Sequence, residues 1–109
     1  MENNLEYFLA LRVRVGFDFE GTLSANAIQT ITNQLIIAGG TEVYIISSLD
    51  NAASLYSLSL KFGIPMTRVF AMGSDEEKIR KIKQLGINIF FDANQSIVNK
   101  LPNIGRRLN

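Results

Sequence analysis

Cysteine and histidine are both missing from this chain. Without thiols there are no disulfides, and without imidazoles as well, zinc sites of the usual kinds and histidine acid/base chemistry are excluded. Any catalysis must then rest on carboxylates, hydroxyls, lysine or a hard metal ion. Net charge is nearly missing too: 11 basic and 10 acidic residues leave +1, so no overall field directs the chain to nucleic acid or to an anionic membrane. The one basic cluster, Arg106 and Arg107 beside Lys100, lies at a C-terminus where fraying is expected. No apolar run is long enough to span a bilayer, and Met1 to Ala10, carrying Glu2 and Glu6, has no basic n-region. The expectation is a soluble, cytoplasmic protein with no membrane partner.

What remains is an apolar chain of modest size. With 109 residues, 47% of them hydrophobic, it suits one compact domain over 1–109 that buries roughly 65% of its unfolded surface. Strand and helix patterns alternate along it. Leu11 to Phe17 reads as a strand, with Val13, Val15 and Phe17 alternating with Arg12, Arg14 and Gly16. Ile28, Ile31 and Leu35 keep helical spacing up to Gly39-Gly40. Val43 to Ile46 is a short apolar run of the buried parallel kind. A helix capped by Asp50 or Asn51 carries Leu55, Leu58 and Phe62, and Gly63 and Pro65 stop it. Arg68 to Met72 predicts a third strand, followed by a charged helix with Ile79, Ile82 and Leu85 inward and Gly86 at its end. Ile87 to Phe91 predicts a fourth strand ending in Asp92. Short helices are expected over Ser96 to Leu101 and over Met1 to Ala10.

Strands alternating with helices of this length predict a Rossmann-like, three-layer α/β/α sandwich with a mostly parallel sheet, because parallel strands need crossovers and these are right-handed. Winding outward through strands two and three and returning to place strand four beside strand one gives the order 4-1-2-3. Its switch point lies between strands one and four, where Asp18 and Asp92 face one crevice at the carboxyl ends.

The most informative segment is Asp18-Phe19-Glu20-Gly21-Thr22, directly after the first strand. Asp18 and Thr22 have an ordinary role open to them as helix caps. Yet an Asp, any residue, an acid, Gly and Thr in that order should arise by chance in well under about one in a hundred chains of this length. Further on stand Val43-Tyr44-Ile45-Ile46-Ser47, then Lys78, then Ile89-Phe90-Phe91-Asp92-Ala93-Asn94. In this order the four segments resemble the haloacid dehalogenase superfamily of phosphohydrolases, known for a strand ending in Asp-x-Asp-Gly-Thr, a second ending in Ser or Thr, a Lys near a later helix start, and a fourth ending in one or two acids. The likeness spans Asp18 to Asp92.

The resemblance implies a Mg²⁺-dependent phosphatase acting through an aspartyl-phosphate, and the residue types suit that chemistry. A carboxylate attacking a phosphate dianion needs cations and oriented donors to offset like charge. Asp18 would be the nucleophile, ionised without a general base at an ordinary pKa of about 3.9. Asp18 and Asp92 would hold Mg²⁺, with the Glu20 backbone carbonyl as the third ligand. Ser47, or Ser48 beside it, would donate to a phosphoryl oxygen, and Lys78 would add positive charge. Against these stand ordinary readings: a turn role for Ser47, a cap for Asp92, and for Lys78 a solvated face in the run Asp75 to Lys81.

Three departures from the family pattern bear on activity. Glu20 replaces the usual Asp, placing the same carboxyl group on a stem one methylene longer and costing rate unless it is repositioned. Ala93 and Ser96 stand where a second strand-four acid is expected, which weakens cation binding, although Asn94 offers an amide oxygen. Only Ser24 to Gly40 and Leu49 to Thr67 separate the first three strands, so the domain is capless and its site open to water. An open site suits a phosphorylated substrate that is large or macromolecular, a partner acting as lid, or a degenerate domain serving as a protein-binding module. A phosphoacceptor receiver domain fits less well, since it wants an acidic pair before the first helix and a phosphoacceptor on the third strand.

Overall fold

The computed structural model describes residues 13–19, 29–30, 32–34 and 40–107. The expected helix over Met1 to Ala10, the positions Leu11 and Arg12, the segment Glu20-Gly21-Thr22, the apolar positions Ile28, Ile31 and Leu35, and the side chain of Leu58 lie outside the described residues. Residues 29–30 and 32–34 are helical, as the spacing predicts.

Five strands form one sheet: β1 Val13–Phe17, β2 Thr41–Ser47, β3 Val69–Ala71, β4 Ile89–Asp92 and β5 Gly105–Arg107. Three helices follow strands: α1 Ala53–Phe62 after β2, α2 Asp75–Gln84 after β3 and α3 Gln95–Asn99 after β4. The strand pairs are all parallel and the order is 3-2-1-4-5. It differs from the expected 4-1-2-3 by one strand. Read from the opposite edge, the first four keep their expected neighbours, and β5 adds a new edge beyond β4. The supposedly fraying Arg106 and Arg107 are therefore sheet residues, held by backbone pairing that their charged side chains conceal.

The layers follow from strand alternation. Val15, Phe17, Val43, Ile45 and Val69 face Leu55 on α1 and Ile64 beyond it. Tyr44, Ile46 and Phe90 turn the other way, toward Ile82 on α2 and Ile97 on α3. Both faces of β2 are covered, so its expected apolar run extends from Val43 through Ser47 as an unbroken buried stretch. The helices lie on opposite faces because the chain winds outward from β1 in one direction, then reverses past it, and a fixed crossover hand puts the reversed connections on the other side. No helix among the described residues is long and apolar enough to cross a membrane.

Caps set the helix boundaries. Ser74 accepts from the Glu77 amide at the start of α2, and Asn94 accepts from the Ser96 amide at the start of α3. At α1, Asn51 accepts from the Ala53 amide rather than capping the helix itself, while Gly63 ends it in the left-handed region at φ 71°.

Two glycines admit close packing, one within the sheet and one between sheet and helix. Gly16 is the register partner of Phe90, and a Cβ there would lie 2.6 Å from the Phe90 ring. Gly105 lies against α3, where a Cβ would meet the Val98 carbonyl oxygen at 2.9 Å and its Cα at 3.0 Å. Backbone cannot rotate aside as a side chain does. Gly105→Ala should therefore push β5 off α3 and cost about 1–3 kcal/mol, read from urea denaturation; an unchanged midpoint would mean that the contact yields freely.

Candidate active site

Polar residues stand at the carboxyl ends of three strands: Asp18 directly after β1, Ser47 at the end of β2 and Asp92 at the end of β4. The register pairs Phe17 with Phe91, so the next residues, Asp18 and Asp92, stand side by side, and the Asp18 amide donates to the Phe91 carbonyl at 3.0 Å. Stacking of the Phe17 and Phe91 rings, with centroids 5.2 Å apart, fixes the two strand ends beneath them. Ser47 closes β2 on the other side of β1. This is the switch point, where open α/β sheets place their ligands.

Lys78 joins the strand ends. It sits one turn into α2 and is 2% exposed, so its place is the interior and not the solvated face that its charged neighbours suggest. Its Nζ donates to Asp18 Oδ1 at 2.8 Å and to Asp92 Oδ2 at 2.6 Å, and lies 5.3 Å from the centroid of the Phe90 ring. Asp92, 1% exposed, uses its other oxygen to accept from the Asn94 amide at 2.9 Å. The helix cap there is Asn94 and not Asp92, whose two oxygens are taken by Lys78 and by the Asn94 amide. Burial of such charges is tolerated only when they are paired and hydrogen-bonded.

These groups line a crevice of about 360 Å³ together with Ser47, Ser48, Asp75 and Ala93. Ser47 is buried, and its Oγ accepts from the Leu49 amide at 3.1 Å. The turn role is real, and the hydroxyl proton remains to be donated. Ser48, by contrast, donates to Asp75 Oδ1, which commits its proton to the rim. Ser47 is thus the better donor for a ligand oxygen. Asp75 is a rim residue that the sequence did not single out; its only signal was its place beside the Ser74 cap. Asn94 lines the crevice, but its side-chain oxygen is occupied with Ser96.

The expected residues Asp18, Ser47, Lys78 and Asp92 therefore converge, while Glu20 lies outside the described residues. A hard cation would find two carboxylates, Asp18 and Asp92, at one crevice, but the Lys78 ammonium already sits between them. Asp75 stands at the rim on Ser48, and among the described residues no three acidic side chains come close enough to hold a metal ion together, so further ligands would come from the Glu20 carbonyl or from water.

Burial pushes the Asp18 carboxyl above its ordinary value of 3.8, and the like charge of Asp92 adds to the rise. The charge and hydrogen bond of Lys78, then a hydrogen bond from the Phe19 backbone, pull the other way without cancelling it. Lys78→Met removes the two larger opposing effects. In metal-free protein the Asp18 carboxyl, followed by carbon-13 NMR, should titrate above 3.8 in the wild type and higher still in Lys78→Met. The variant should lose about 3 kcal/mol or more at neutral pH, where buried carboxylates are left without their cation. The sign follows from linkage: a folded-state pKa above the unfolded one penalises folding most at pH above the folded value, and the Asp18 share fades as pH falls toward 3.8. A variant equally destabilised at every pH would dissociate the loss from charge.

The chain matches no family model and no curated protein.

Proposed function

We propose that this chain is a Mg²⁺-dependent phosphohydrolase that cleaves phosphate monoesters through an aspartyl-phosphate on Asp18. The observation that carries the reading is the buried Lys78 ammonium shared between Asp18 and Asp92 at the switch point. A phosphate dianion approaching a carboxylate nucleophile meets like charge, and a fixed cation with an oriented hydroxyl offsets this without reorganisation.

In this reading Asp18 attacks phosphorus, forming the Asp18 oxygen to phosphorus bond as the ester oxygen leaves with the electron pair. Glu20 gives that oxygen its proton, so an alcohol departs. Glu20 then takes a proton from water, whose oxygen attacks the acyl phosphate, releasing inorganic phosphate and restoring the Asp18 carboxylate. Ser47 donates to a phosphoryl oxygen throughout. Lys78 holds Asp18 in place and neutralises charge on the transferred group. Asp18 and Asp92 would hold the cation, which when bound supplies further positive charge against the phosphate.

A second reading, a domain that keeps this fold as a protein-binding module, is favoured by Ala93. It lines the crevice where a second acid is expected, and both oxygens of Asp92 are already engaged.

Beryllium fluoride separates the two readings without a known substrate. With millimolar Mg²⁺, fluorine NMR should detect specific signals from the mimic bound at Asp18, and Asp18→Asn should remain folded and lose them. Hydrolysis of a small aryl phosphate should fall on the order of 10³-fold or more in that variant, while Glu20→Asp should raise it and Glu20→Gln lower it. Absent fluoride signals together with equal, negligible rates in all these proteins would leave the binding-module reading.

A further inference from the structure

A second depression adjoins the crevice. This groove, of about 720 Å³, is lined by Asp75, Glu76, Ile79 and Lys83 of α2 and by Asn99, Lys100 and Pro102 at the end of α3. Asp75 lines both depressions, so the groove opens from the crevice at its rim. Its α2 wall is one helical stripe: positions 75, 79 and 83 recur every fourth residue, with 76 alongside. Both helices start at the crevice and run away from it, so the groove leads outward along their length.

Charge along that stripe is ordered. Two acids stand at the crevice end, half-buried Ile79 lies in the middle, and two lysines stand at the far end. The macrodipole of α2 accounts for acids in its first turn and a lysine in its last, but it does not bring Lys100 from another helix to the same place. Ion pairs among the described residues use Arg14, Arg68, Lys78 and Arg80 as cations, leaving Lys83 and Lys100 unpaired. A ligand that complements this order carries a cation next to its phosphate and an anion farther out. The eight steps from Asp75 to Lys83 span about 12 Å of helix, close to the roughly 13 Å of four steps in an extended peptide.

Resting on the phosphoryl-transfer reading for the crevice, we propose that the substrate is a phosphorylated polypeptide in extended form, with a basic residue beside the phosphorylated one and an acidic residue four positions farther along. The crevice takes the phosphate and the groove takes the flanking chain. Short connections leave no room for a cap over the site, so recognition falls to this open track.

Two peptides of identical composition test the charge order: phosphoserine followed by lysine, three alanines and glutamate, and the isomer with lysine and glutamate exchanged. Each is also made with the flanking sequence reversed to precede the phosphoserine. Binding is read by fluorescence anisotropy with millimolar Mg²⁺, and release of inorganic phosphate is measured on the same samples. The isomer with lysine next to phosphoserine should bind roughly five- to tenfold more tightly in one chain direction, as expected for a few exposed charge pairs. The ratio should fall to about one in the double variant Lys83→Glu, Lys100→Glu, which makes both ends of the groove acidic and whose folding is checked by circular dichroism. Equal affinities for the isomers in both directions, or no binding of any peptide, would overturn the proposal. Preferential binding without phosphate release would support the track and count against the phosphohydrolase, whereas phosphate release without preference would remove the track alone.

Discussion

One ammonium between two carboxylates governs the architecture around it. An isolated charge in a protein interior costs several kcal/mol, and each of these three is withdrawn from water. Lys78 removes that cost only if β1 and β4 are neighbours, so that Asp18 and Asp92 end together, and only if α2 crosses the face on which both carboxylates can be reached. Ser74 fixes where α2 begins, and Ile82, one turn after Lys78, anchors it in the core. The triad therefore ties strand order, crossover face and helix register to one point. Burial, with a smaller addition from the like charge of Asp92, keeps the Asp18 pKa raised despite its direct bond to Lys78.

The strand ends were legible because they break a pattern. A polar residue closing an apolar run has few ordinary explanations, and Asp18, Ser47 and Asp92 all stand at such breaks. Lys78 was harder to read. Its charged neighbours suggest solvent. The expected inward stripe does face the core, with Ile82 fully buried and Ile79 and Leu85 packed against the same cluster, and Lys78 is buried beside it. The i, i+4 spacing of Lys78 and Ile82 was the available signal that the lysine shares this face.

The strand β5 left no trace in the side-chain pattern. Gly105-Arg106-Arg107 has neither alternation nor β-branched residues, and it follows α3 after a turn with Asn103 at φ 69°. Its place is set by backbone: the Phe90 amide donates to the Ile104 carbonyl, and the Gly105 amide donates to the Leu101 carbonyl. Propensity weighs little where a glycine lets main chain meet main chain. The ends of β2 and β3 also depart from expectation by one or two residues, because pairing with a neighbour, and not hydropathy, decides where a ladder stops.

Openness and electrostatic strength conflict in this site. A crevice open to water would weaken the charge interactions that catalysis would use. The buried ammonium answers part of that difficulty. Because Lys78 is held by the sheet edge and the Phe90 ring, its charge is fixed before any ligand arrives and needs no lid to become effective. The same fixity works against a metal ion, since a second cation must share Asp18 and Asp92 with one already bound to both. Under the phosphohydrolase proposed above, a site built this way would depend on contacts beyond the crevice to hold its substrate, and the groove that begins at Asp75 is where the described surface offers them.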